Sequence, residues 1–305
     1  MPGELSVVGG ELSVVGGAGR VGGALAAAAR RSGRYARVAV RTRQGGEGLA
    51  ASGPVVVCTP AGALDAAVAE LPRARVADLV LVQNGVLRPW LAARGLSGGA
   101  VTEVVLRLAA DGETLTPAGG GGALSAESVA FGGRHAASMA ALLPACRLAA
   151  SEGELREQAL FKLAWACAVP LLCDALGPGA AVGELFDGGE VEGELKALVA
   201  EMVRIAAPDA LGDDMGSAAA MASHGDAAHG DAGEAGKTRL ELSALADVFA
   251  YSAGIAHARP SAALAEAEWA WRNGWLLARG GGAAAQPLHR RWIERAPSLR
   301  HLLAC

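Results

Sequence analysis

At 305 residues the chain is long enough for two domains, and a hydrophobic share of 52% with only 4% aromatic residues predicts cores built from Ala, Val and Leu. A formal net charge of −4 and a pI near 5.9 exclude a basic face for nucleic acid, and no polybasic segment points to a membrane surface. Five cysteines without CxxC spacing exclude a disulfide framework and fit reduced thiols.

The heptapeptide GELSVVG occurs twice in succession, at residues 3–9 and 10–16. Residues 12–16 predict a short strand. Gly17-Ala18-Gly19-Arg20-Val21-Gly22 follows, then a helix over 21–31 that Ser32-Gly33 stops. Further strands are predicted at 35–40, 54–58, 79–83 and 101–108, with a helix at 63–71. These strands are nearly all apolar, as in a parallel sheet covered on both faces. Residues 116–123 are Gly-rich and read as a hairpin tip or loop.

From about residue 152 the pattern turns helical, with helices predicted at 154–176, 191–206, 238–256 and 261–277. The predicted fold class is therefore α/β: an N-terminal Rossmann-type parallel sheet domain over 1–150, then an all-α C-terminal domain over 151–305. Residues 217–236, rich in Ala, Gly, His and Asp, read as a mobile insertion between helices. His224, Asp226, His229 and Asp231 within it read as solvated, because a five-residue His spacing does not share one helix face; no metal site is expected. The longest apolar stretches, 14–29 and 160–176, are interrupted by Arg20 and by Lys162, Pro170 and Asp174, so no membrane span is expected. No signal or transit pattern is evident, and the expected address is cytoplasmic.

Gly17 to Gly22 fits G-x-G-x-x-G between a strand and a helix, the setting in which that motif binds a dinucleotide. Gly17 allows the tight turn, Gly19 lets a pyrophosphate approach the backbone, and Gly22 lets the helix pack close to the strand. The helix N-terminus presents N–H groups to the phosphates; Ala18, Arg20 and Val21 complete the loop. In the first copy of the repeat the same positions would read Gly9-Gly10-Glu11-Leu12, with a carboxylate toward the pyrophosphate, so the second copy is expected to work. The second strand ends in Arg41-Thr42-Arg43, and no acid occurs between Arg20 and Glu47. Two guanidiniums and a hydroxyl match a 2′-phosphate, so NADPH (NADP+) is expected over NADH.

Four features together resemble the ketopantoate reductases, within the wider 6-phosphogluconate-dehydrogenase-like superfamily. They are GAGRVG, LVLVQNGV at 79–86, LFKLAW at 160–165, and Pro260-Ser261 with Asn273-Gly274. The resemblance implies an NADP-dependent oxidoreductase acting on CH–OH groups. One domain holds the cofactor, and a small carbonyl substrate such as a 2-keto acid binds where the helical domain closes over it. By the same resemblance Lys162 is the general acid at the carbonyl oxygen, Asn84 sits beside the nicotinamide and substrate, and Ser261 bonds the substrate carboxylate end. A Glu of AEAEWAWRNG takes the substrate hydroxyl, Glu268 in preference to Glu266. Cys58 and Thr59, ending the third strand, join the cofactor set where the family commonly has a Lys. The family's two Asn after the Lys are replaced by Ala166 and Pro170. The loss leaves the substrate open to a more apolar carbonyl compound, and leaves a non-catalytic NADP(H)-binding or sensing protein as the alternative.

Other readings stand beside these. Lys162 can snorkel to the surface, Asn84-Gly85 can be a plain turn, and Ser261 can cap a helix. Trp269, Trp271 and Trp275 suit a core or an interface, the latter in a homodimer.

Overall fold

The computed structural model describes residues 10–43, 45–118, 127–211, 231–279 and 285–304. The first copy of the heptapeptide, residues 119–123 of the predicted loop, residues 217–230 of the predicted insertion (with His224, Asp226 and His229) and Cys305 lie outside the described residues. The described residues fall into two compact units. The first takes those up to Gln83, then Pro89–Ala118 and Glu127–Leu155; the second takes Asn84–Arg88 and the chain from Arg156 onward.

The first unit is built on one eight-stranded sheet. Its strands are β1 (Gly10–Val15), β2 (Tyr35–Thr42), β3 (Gly45–Gly46), β4 (Val55–Val57), β5 (Leu79–Leu81), β6 (Thr102–Val105), β9 (Ser128–Phe131) and β10 (Cys146–Leu148), in the order β10-β9-β6-β5-β4-β1-β2-β3. β7 (Leu108–Asp111) and β8 (Thr114–Pro117) form a separate antiparallel hairpin. The expected wholly parallel sheet is corrected: β2, β1, β4, β5 and β6 run parallel, but β6–β9 and β2–β3 pair antiparallel. β9 reaches β6 after a chain reversal through the hairpin, and such a reversal needs no helical crossover.

β1 is formed by the second copy of the repeat, and it lies between β2 and β4. The strand order therefore reverses at its C-terminal end, where an open α/β sheet leaves a crevice for a ligand. Leu12 and Val14 of β1, Val56 of β4 and Val80 of β5 are fully buried, with Leu25 of helix α1 (Arg20–Ser32) packed against them. α1 stops before Gly33, whose N–H returns to the Arg30 carbonyl.

At the opposite ends of the strands, just before β5, buried Asp78 gathers two arginines and a histidine. Arg75 pairs with it, and Arg134 Nε and His135 Nε2 each stand 2.8 Å from its Oδ1. Burial pushes the Asp78 carboxyl up, but the His135 and Arg75 hydrogen bonds and the charges of Arg75 and Arg134 outweigh it and hold it below the usual range. Helices α2 (Leu64–Ala69), α3 (Arg88–Ala93) and α4 (Ala136–Leu142) complete the α/β part.

The second unit is helical: most of α5 (Glu152–Leu176), α6 (Glu190–Leu211), α7 (Asp231–Gly254), α8 (Ala262–Ala267), α9 (Asn273–Arg279) and α10 (Pro287–Arg295). Apart from Lys162, α5 is apolar on every side between Leu160 and Cys173, which makes it the central helix of this core. By length and composition α5 could cross a membrane, but 72% of its most apolar window is buried inside the protein, as in a core helix. The predicted helix over 261–277 is corrected. It breaks into α8, a single 3-10 turn at Trp269–Trp271, and α9, because Arg272 leaves helical space at φ −132° and ψ −109°.

Candidate functional site

The turn after β1 is pinned from both sides. The N–H groups of Gly16 and Gly17 both donate to the Arg41 carbonyl of β2, at 2.9 and 3.1 Å, and the Cys58 N–H after β4 donates to the Val15 carbonyl at 2.8 Å. The left-handed residue is Gly16 (φ +84°) rather than Gly17, which corrects the assignment of the tight turn; a Cβ there would stand 3.0 Å from the backbone of Cys58 and Thr59. A Cβ on Gly17 would overlap Val40 of β2, and one on Gly22 would stand 2.5 Å from the Gly16 carbonyl oxygen. Gly19 is different: beyond that same oxygen at 3.3 Å it meets nothing. Ala18, Gly19, Arg20 and Val21 are exposed, and no side chain caps α1 at Gly19. The result is an open backbone cradle at the positive end of a 13-residue helix.

The surrounding residues fit a dinucleotide. Thr59 lies beside the cradle, its hydroxyl buried and without a hydrogen-bond partner in the protein. Gln83 at the end of β5 braces this edge, its Nε2 donating to the Val57 carbonyl at 2.8 Å and the Thr59 carbonyl at 3.1 Å. Burial pushes the Cys58 thiol up to about 12, so it stays protonated and serves as packing. Arg41 pairs with Glu70, the residue that ends α2. Thr42 Oγ1 donates to the Gly45 carbonyl at 2.7 Å and so holds the turn to β3, while Arg43 is exposed on that turn.

In the helical unit, Lys162 is 4% exposed, so it does not snorkel. It lies on the buried central stretch of α5, and its ammonium meets two aromatic faces. Nζ is 3.6 Å from the Tyr251 ring centroid and 4.5 Å from that of Trp165. The rings pack edge to face at 4.7 Å, and Trp165 Nε1 donates to the buried Ser252 hydroxyl at 2.9 Å. The box thus uses residues on α5 one turn apart and consecutive residues on α7. Ala166 and Pro170 are buried on the same helix and bring no polar side chain.

Glu268 is 5% exposed and paired with equally buried Arg272. Both lie near Cys167 of α5, whose thiol is raised to about 12, mainly by burial and against the Arg272 charge. Glu266 is instead a surface residue, its Oε1 3.2 Å from His301 Nε2. Ser261 caps α8: its Oγ accepts the Leu264 N–H at 3.2 Å. Asn84 and Gly85 join this unit through the Trp269–Trp271 turn, where the Val86 N–H donates to the Trp271 carbonyl at 3.1 Å. A Cβ on Gly85 would come within 2.9 Å of Trp271 Cβ, so the turn needs Gly for close approach.

Sequence reasoning missed Glu70, Tyr251, Ser252 and Arg272. Only Arg272 carried a local signal, since Glu268 and Arg272 stand at the helical i,i+4 spacing of an ion pair. Among the described residues no group of three or more His, Cys, Asp or Glu side chains could hold a metal ion.

No family model matches the chain, and no curated protein matches its sequence. Solved structures do match. A D-mandelate dehydrogenase in ternary complex with NADH and anilino(oxo)acetate superposes with a TM-score of 0.59 at 13% identity, over 97% of this chain and 100% of that one. The 2-dehydropantoate 2-reductase of Geobacter metallireducens gives 0.54 at 16% identity, over 96% and 99%. The probable 2-dehydropantoate 2-reductase of Bacillus subtilis gives 0.54 at 14%, over 93% and 99%. The chain therefore has the fold of the ketopantoate reductase-like proteins across nearly its whole length.

Proposed function

We propose that this protein is an NADPH-dependent reductase of a small 2-keto acid or a related carbonyl compound, with a cytoplasmic address. The observation that carries the reading is a lysine ammonium buried in a core helix against two aromatic faces, in a chain that also has the open cradle after β1.

Gly17, Gly19 and Gly22 shape the cradle for the pyrophosphate, with Ala18, Arg20 and Val21 around it. Thr59 offers its hydroxyl, Arg41, Thr42 and Arg43 bind the adenine ribose phosphate, and Asn84 orients the nicotinamide end. When bound, the nicotinamide supplies the hydride to the carbonyl carbon. Lys162 stabilises the negative charge that grows on the carbonyl oxygen and gives that oxygen its proton. Glu268 takes the substrate hydroxyl, with Arg272 holding its carboxylate, and Ser261 keeps its own O–H for the substrate carboxylate while it caps α8. The 2-keto acid class is supported by the fold neighbours, among them a dehydrogenase solved with anilino(oxo)acetate.

A second reading, a non-catalytic NADP(H)-binding or sensing protein, is favoured by Ala166 and Pro170 and by the guanidinium that already occupies Glu268. One experiment separates the two. NADPH oxidation is followed with a panel of 2-keto acids in wild type and Lys162→Ala. The reductase reading expects turnover that falls about 100-fold or more in Lys162→Ala with NADPH binding retained. Tight NADPH binding without turnover on any carbonyl compound overturns it in favour of the sensor.

A further inference from the structure

Arg41 ends β2, where a dinucleotide site reads the adenine ribose, and its main-chain carbonyl holds the glycine loop. Its guanidinium is paired with Glu70 at the C-terminal end of α2, the helix after β4. The two side chains are 37% and 52% exposed, so the pair is open to an incoming ligand. No acid occurs in residues 21–46, which include all of β2. The carboxylate that an NAD site takes from the end of its second strand thus comes here from a different element, onto the residue that would grip a 2′-phosphate.

We propose that Glu70 sets the balance between the two nicotinamide dinucleotides at this site. The proposal rests on the glycine loop being a dinucleotide site. With an unphosphorylated ribose, Glu70 neutralises Arg41 and offers carboxylate oxygens to the ribose hydroxyls. With a 2′-phosphate, Glu70 competes with the phosphate for the Arg41 guanidinium and its charge-assisted bonds. Glu70 then faces a dianionic group and repels it. It therefore weakens the phosphorylated cofactor selectively, and the preference for NADPH set by Arg41 and Arg43 is held below what those arginines alone would give. The pair is exposed and screened, so the effect is modest.

The test is an equilibrium titration of the full chain with 2′,5′-ADP, 5′-ADP, NADPH and NADH, in wild type, Glu70→Gln and Arg41→Ala. In Glu70→Gln, 2′,5′-ADP and NADPH are expected to bind roughly three- to fivefold tighter, with 5′-ADP and NADH unchanged or weaker. Arg41→Ala is expected to weaken the phosphorylated pair and leave the other pair nearly as it was. If all four ligands bind and Glu70→Gln leaves their ratios unchanged, Glu70 has no such role although the site stands. If none binds to wild type, the dinucleotide reading itself fails and this proposal goes with it.

Discussion

At Gly22 an added Cβ would press on the Gly16 carbonyl oxygen at 2.5 Å and the Gly17 Cα at 2.9 Å, both backbone atoms that yield only if the loop opens. At Gly19 the nearest atom is 3.3 Å away and the rest is open space. The two substitutions should therefore separate folding from binding. Gly22→Ala is expected to destabilise the protein by about 2 kcal/mol or more in denaturant unfolding. Gly19→Ala is expected to unfold at nearly the wild-type denaturant concentration, yet, if the loop is the proposed pyrophosphate cradle, to bind NADPH at least about tenfold more weakly, because its methyl group fills the open space beside that loop. Normal NADPH affinity in Gly19→Ala would remove the loop from the binding site. Such glycines were legible in the sequence because their demands are local: a strand, a turn and a helix within a few residues. Which glycine takes the left-handed turn was not, since that depends on Cys58 and Thr59 arriving from β4. Lys162 was legible as an oddity in an apolar run. Its ring partner Tyr251 was not, because nothing local in α7 announces which lysine it meets.

At the scale of elements, long periodic helices were readable and short or interrupted pieces were not. β9 and β10 are four and three residues long and lie in Gly- and Ala-rich sequence, too short for a period to register. The break at Arg272 was hidden because the residues on both sides have helical spacing; the Trp271 carbonyl instead serves the Val86 N–H. α10 was also unforeseen, and a polar knot fixes its start. The Glu201 carboxylate accepts the N–H groups of Leu288 and His289, at 3.3 and 2.8 Å, on the first turn of that helix. The His289 ring lies between Gln286 Oε1, 3.0 Å from Nδ1, and Asn273 Oδ1, 2.8 Å from Nε2. Gln286 gives its Nε2 to the Leu276 carbonyl, so His289 Nδ1–H is the donor to Gln286. With both ring nitrogens facing acceptor oxygens the ring would be cationic, so a neutral ring has the Asn273 amide turned over, its NH2 donating to Nε2. Burial lowers the His289 pKa to about 3, against about 6.5 in the unfolded chain. The folded form resists protonation while the unfolded form does not. This stabilisation is therefore complete above pH 6.5 and is lost progressively as pH falls toward 3. His289→Gln is expected to be less stable than wild type at pH 7, but to lose less of its stability between pH 6.5 and 4 in urea unfolding. Parallel pH profiles for the two proteins would place the acid sensitivity elsewhere.

For the molecule as a whole, the consequential division is between the unit that carries the cradle and the unit that carries Lys162. Binding and chemistry should then respond to different substitutions. NADPH at about 100 times its Kd stabilises the native state by about 2.7 kcal/mol if it binds only that state. Scanning calorimetry should register this as a rise in the transition of the α/β unit. Lys162→Ala is expected to keep that rise and lose turnover. On the proposed reading of the loop as a pyrophosphate cradle, Gly19→Asp is expected to lose the rise, because it places a carboxylate on the open face of that loop. The doubled heptapeptide gives the third arm. Its second copy forms β1 and pairs with β2 and β4, while Glu11, which would have faced the pyrophosphate had the first copy been used, accepts the Ala51 N–H at 2.7 Å. Deleting residues 3–9 removes the first copy alone, so the NADPH-induced rise is expected to survive intact. Its disappearance would mean that the first copy also supports the sheet, and that the repeat is a working part of the nucleotide site rather than a spare strand.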